Sequence, residues 1–147
     1  MGLFDFLFGK GGDNTAKRFT GTVSLQSLYK KSISFHVDRY EEWQAGRCIS
    51  QGQLNFNLHL KSDGSSISVN IPESSKFKMH SHVSFPFTGS QILHDRLQYL
   101  NPPVGGTDST QPIILHVFVK DGRIDYIRFA MSFPDRIVEF YGFQMEN

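Results

Sequence analysis

The sequence predicts an α+β domain: an antiparallel, strand-rich meander sheet with one main helix, at about residues 90–101, packed on it and a short helix at the N-terminus. Three observations carry that expectation. Residues 53–71 alternate strictly, with Leu54, Phe56, Leu58 and Leu60 on one side of a strand and Asn55, Asn57, His59 and Lys61 on the other, before Ser62-Asp63-Gly64 turns the chain into Ile67, Val69 and Ile71. Asp121-Gly122 is a two-residue hairpin signal between the apolar runs 113–119 and 124–131. Ile92, Leu93, Leu97 and Leu100 recur at helical spacing behind Ser90, a residue suited to cap a helix, and Pro102-Pro103 closes the segment.

Taken in order, residues 1–8 form the short apolar helix, with Leu3, Phe4, Leu7 and Phe8 on one face and Asp5 at the positive end of its dipole. Gly9, Gly11 and Gly12 end it, and residues 9–17 read as a flexible linker to a single domain over 18–147. Weak alternation marks a strand in 18–28 and better alternation one in 32–37, through Ile33, Phe35 and Val37. Residues 38–46, with Tyr40, Trp43 and a closing Gly46, are compatible with one or two helical turns. Residues 76–85 alternate again, placing Phe77, Met79, Val83 and Phe85 opposite Lys76, Lys78, His80 and His82. The polar stretch 104–111 reads as a binding loop, 113–119 as a central strand covered on both faces, and 137–143 as the last strand.

Composition narrows the function. The 147 residues are 39% hydrophobic and include 14 Phe, so the chain has the means to fold. Lys plus Arg number 15 against 14 acids, divided evenly along the chain, which offers no charge field for nucleic acid or an anionic membrane. The single Cys48 excludes an internal disulfide and is expected to be a buried, inert thiol in a reducing compartment. The apolar opening is too short to span a bilayer and has no basic stretch before it, so a cytoplasmic location is expected, with no transmembrane segment.

His80-Ser81-His82 is the sharpest chemical feature, because two imidazoles one residue apart on a strand share a face and can ligate one zinc ion. With seven residues between His82 and Ser90, the stretch resembles the HxH-x7-S-x2-D signature of the JAMM class of zinc metalloproteases. That resemblance implies zinc ligands at His80 and His82, Ser90 beside the metal-bound water, and Glu42, or its neighbour Glu41, as general base of an (iso)peptidase. Leu93 stands where the family places its ligating aspartate, and Asp95 two residues later is the substitute; Val83 replaces the proline that follows the second histidine.

Against that alternative, alternation alone places both histidines with Lys76 and Lys78 on the wet face of a strand. No P-loop, dinucleotide fingerprint or nucleophile elbow is present, and adjacent Glu41 and Glu42 point to opposite sides of any strand. Aromatic residues are in surplus. The leading expectation is therefore a small, non-enzymatic bacterial protein without a cofactor that binds another protein, as an immunity or antitoxin-type inhibitor or an adaptor. Its predicted contact residues are Leu3, Phe4, Leu7 and Phe8 at the N-terminus and Phe85, Phe87, Phe133 and Tyr141 in the body. A lipid or ligand carrier with a cavity under the meander is a third reading.

Overall fold

The computed structural model describes residues 17–70, 83–101 and 112–146. The expected helices 1–8 and the contact residues Leu3, Phe4, Leu7 and Phe8 lie outside them, as do His80 and His82.

The α+β expectation is corrected to all-β. Among the described residues nine antiparallel strands make one curled sheet: β1 (Ile33–Gln44), β2 (Arg47–Leu60), β3 (Ser66–Asn70), β4 (Val83–Pro86), β5 (Gly89–Ile92), β6 (Arg96–Asn101), β7 (Ile113–Lys120), β8 (Arg123–Ser132) and β9 (Ile137–Gln144). Among the described residues the helical content is one turn, α1 (Leu25–Leu28), capped reciprocally by Ser24 and Ser27.

The main helix expected at 90–101 is instead the β5–β6 hairpin, which turns at His94 and Asp95. Leu97, Tyr99 and Asn101 are buried and Arg96, Gln98 and Leu100 are not, a period of two that packs one side of the strand inward. The apolar spacing of Ile92, Leu93, Leu97 and Leu100 coincides with a helical stripe, but Ile92 is exposed. Tertiary burial of Leu97 and Tyr99 overrides that local pattern.

Strand order is β4-β3-β2-β1-β9-β8-β7-β6-β5, so every neighbour is a sequence neighbour except β1 and β9, which join the two halves. The two margins of the sheet, β4 and β5, are joined by Phe87 and Thr88 alone. Phe87 N–H donates to the Ser65 carbonyl at 2.9 Å and Thr88 N–H to the Leu100 carbonyl at 2.9 Å, so the chain passes at this corner from the β3 side to the β6 side. The sheet must therefore curl into a half-barrel, and rings meet across its interior: Phe85 with Phe129 at 6.4 Å, Phe56 with Phe140 at 5.1 Å, and Phe87 with Tyr99 at 5.5 Å between centroids. Phe35, Leu58, Ile67, Leu115, Ile127 and Val138 complete an interior filled by side chains. Each such residue contributes about 2–3 kcal/mol of transfer free energy.

Bulges explain two expectations that the structure revises. In β1 the inward positions are Ile33, Phe35 and Val37, then Tyr40 and Glu42, because the register with both neighbours shifts between Val37 and Arg39. The phase change breaks the alternation of residues 38–46, which are strand as far as Gln44 rather than helical turns. Ala45-Gly46, both at positive φ, then make the two-residue turn into β2. Residues 18–28 hold one bridge, Arg18 to Met145, and α1 in place of the expected strand. Cys48, expected to be buried, is exposed near that β1–β2 turn.

Gly142 marks the closest approach in the sheet. A Cβ built there meets the His36 carbonyl oxygen at 1.9 Å, where β9 pairs with β1 beside the bulge. Tyr99, fully buried, accepts a hydrogen bond at its hydroxyl from Lys30 N–H at 2.9 Å and stacks on Tyr29, tying the segment after α1 to β6.

Two outcomes follow for stability. Gly142→Ala forces β1 and β9 apart and is expected to cost about 3 kcal/mol or more, read as a lower urea midpoint or loss of soluble protein. Tyr99→Phe leaves the packing intact and one N–H unpaired, so about 1 kcal/mol is expected in the same measurement.

Candidate functional site

With the inner face filled, the chemistry-bearing side chains gather on the outer face of the central strands. Cross-strand register sorts them into bands. One row runs Gln53, Arg39, Tyr141, Arg128, His116, Gln98 across β2, β1, β9, β8, β7 and β6. Two residues along the strands lies an aromatic band, with His36 opposite Phe143 on β1 and β9 and Tyr126 opposite Phe118 on β8 and β7. On the other side of the polar row Glu41 faces Glu139, and beyond them Trp43 faces Ile137.

Aromatic rings and guanidinium groups interleave within these bands. Phe118 and Tyr126 stack at 4.5 Å, and His36 lies 5.5 Å from Phe143. Arg39 covers Tyr141 at 4.0 Å, Arg18 covers Phe143 at 4.3 Å, and Arg96 lies 5.2 Å from Phe118. Tyr126 keeps 37% of its surface and Ile137 41%, large values for such side chains in the middle of a sheet.

The centre of the face is a hydrogen-bonded network. Tyr141 Oη donates to Glu139 Oε1 at 2.5 Å and approaches Glu41 Oε1 at 3.2 Å; Trp43 Nε1 donates to the same Glu41 oxygen at 3.2 Å. Arg128 pairs with Glu139, and Arg39 reaches Glu41 at 3.4 Å. Burial alone pushes the Glu139 carboxyl up, but hydrogen bonds from Arg128 and Tyr141 outweigh it and hold the group below its usual range. Burial, and donation to Glu139, keep the Tyr141 hydroxyl protonated well above the ordinary tyrosine range. The Glu139 carboxyl is thus held ionised by Arg128 and Tyr141, and Glu41 opposite it accepts from Trp43 and Arg39. They are structural acceptors rather than a poised acid and base.

His116 extends the network. Its Nε2 lies 3.0 Å from Gln98 Oε1, while Nδ1 is buried without a hydrogen-bond partner. Partial burial, with Arg96 and Arg128 on either side, lowers its pKa to about 4, so the imidazole is neutral at physiological pH. The strand that carries it is covered on one face only: Ile114, His116 and Phe118 are half-exposed.

The sequence-predicted residues are dispersed. Glu42 faces inward at the end of β1, 8% exposed, with Arg136 Nε 3.1 Å from its carboxylate. Ser90 on β5 shares a 2.8 Å hydrogen bond with Tyr29. Asp95, in the β5–β6 turn, lies 3.7 Å from Arg96 and 3.8 Å from His94. Among the described residues no group of three or more His, Cys, Asp or Glu could hold a metal ion. Phe85, Phe87 and Phe133 pack against the core, and Phe133 also carries Arg136 over its ring at 4.9 Å. Tyr141 alone of the predicted contact residues in the body belongs to the outer bands.

Sequence reasoning missed Arg18, Arg39, Arg96, Phe118 and Tyr126. The Asp121-Gly122 turn places Phe118 near Tyr126, but the bulge between Phe118 and Val119 sets the true register. The arginines come together only through β1–β9 pairing and the bridge at Arg18.

No family model and no curated protein matches the chain. Among the described residues no helix is long and apolar enough to cross a membrane.

The His116 environment has a pH signature. The unfolded chain takes up a proton near 6.5 while the folded imidazole waits until about 4, so folding stability falls as pH drops through that window. Discounted for partial exposure, the expected loss is about 1–2 kcal/mol. It is read from urea midpoints at pH 7 and 4 and should shrink in His116→Gln, with an NMR titration midpoint near 4 in the native protein.

Proposed function

We propose that this protein is a non-enzymatic binding module whose partner is another protein, held on the outer face of the sheet. The observation that carries the reading is the interleaving of Arg39, Arg18 and Arg96 with Tyr141, Phe143 and Phe118 around exposed Tyr126. Tyrosine and arginine dominate the energetically decisive centres of protein interfaces, because they offer large rigid area together with hydrogen-bonding edges. The hydrogen-bonded network beneath them fixes the rotamers, so little side-chain entropy is lost on binding.

A role as an inhibitor of the immunity or antitoxin type, or as an adaptor, in a bacterial cytoplasm agrees with a module whose Glu42 and Glu139 are tied into ion pairs. An exposed, unpaired Cys48 thiol suits such a reducing compartment.

A photo-crosslinking residue placed at Tyr126, expressed in the protein's own cells, is expected to give one defined protein adduct. The same residue at exposed Lys31 should give none. Equal labelling from both positions, or no adduct from Tyr126, would sink the reading.

A further inference from the structure

We infer that the surface docked on this face is acidic: a protein segment that presents carboxylates among aromatic or aliphatic side chains, with Arg18, Arg39 and Arg96 as its contact points. The inference rests on the proposal that the outer face is the binding surface, and adds the chemistry of what it binds.

Each of the three guanidinium groups lies over a ring, at 4.3, 4.0 and 5.2 Å. A guanidinium resting against a ring still has N–H groups to offer, and its planar fork matches a carboxylate in two parallel hydrogen bonds. The ring also restrains a side chain that would otherwise lose much rotamer freedom on binding. The acids now beside them are weak competitors. Glu41 is 3.4 Å from Arg39, a long contact, and Asp95 is 3.7 Å from Arg96 without a hydrogen bond between them, so an incoming carboxylate can add to them or replace them.

The banding separates a protein from a nucleic acid. Rings and arginines on an open sheet are also the means by which single strands are held, through base stacking and phosphate contacts. Here, however, Glu41 and Glu139 face each other beside the polar row, each paired with an arginine of the network. A phosphodiester chain carries a charge on every residue and would have to pass those carboxylates. A protein surface places its charges singly, and can set acids over the arginines and apolar side chains over Trp43, Ile137 and Tyr126. The last two are among the most exposed large apolar side chains described.

Three probes separate the outcomes by NMR on the full chain: a twelve-residue peptide alternating Glu with Phe and Tyr, its Lys counterpart, and a twelve-nucleotide oligothymidylate. The acidic peptide is expected to shift resonances of the outer bands and leave those of α1 and β3 unmoved, with affinity that declines as salt is raised. Its affinity should fall at least fivefold in Arg39→Gln and in Arg96→Gln, and stay unchanged in Lys31→Gln. All three are surface changes, checked for native fold from the same spectra. A preference for the Lys peptide would overturn the acidic partner while sparing the face as a protein-binding surface. Binding of the oligothymidylate there would overturn both. Silence from all three probes would overturn the present inference and leave the crosslink at Tyr126 to judge the face itself.

Discussion

Everything in this molecule depends on the curl of a single sheet. A flat nine-stranded sheet would leave Phe35, Phe129 and Phe140 facing water; curled, it folds its own inner surface into a core without a second layer. The corner at Phe87 and Thr88 makes the curl obligatory, because the two margins of the sheet are tied by two residues whose backbones hydrogen-bond to opposite sides. Bulges in β1 and β8 supply the local bending. The interior then takes the aliphatic and aromatic side chains, and the outer face is free to carry rings, arginines and carboxylates that a buried layer could not accept.

That division explains why the outer face is so highly hydrogen-bonded. Long polar side chains on an exposed sheet normally move independently. Here Tyr141 bridges Glu41 and Glu139, Trp43 and Arg39 secure Glu41, and Arg128 secures Glu139. His36 is held in the same way between Asn55 and Asn57, and His59 between Ser32 and Ser34. The face is preorganised, so its side chains lose little freedom when they make contacts.

Much of the strand content was legible in the sequence. Period-two alternation in 53–60 and 66–70, the apolar run 113–119, the last strand at 137–143 and the Asp121-Gly122 turn correspond to strands and a hairpin of the structure. Legibility failed where local and global patterns disagree. Residues 90–101 carry leucines at helical spacing, yet the sheet needs Leu97 and Tyr99 on its inner face, and the gain from burying them exceeds any local preference. Residues 38–44 lost their strand signature to a bulge, and Ala45-Gly46 lacks the Asn or Asp that usually announces a two-residue turn. Of the candidate surface, Tyr141 was visible as a surplus aromatic. Its companions were not, because Arg39, Arg128 and Tyr141 are neighbours only by virtue of pairing between strands about a hundred residues apart.

The β1–β9 ladder also sets an order of events during synthesis. A ribosome releases β1 about ninety residues before β9, and until Gln144 has emerged the Ile33–Gln44 strand has one of its two permanent neighbours missing. Hairpins of consecutive strands can form on the way, but the step that unites the two halves must close a loop of nearly the whole chain. The sheet is therefore completed only once β9 has emerged, and the nascent chain spends that interval with a twelve-residue edge available to any extended segment nearby. A cell that makes this protein in quantity would need to shield that strand until its last partner arrives.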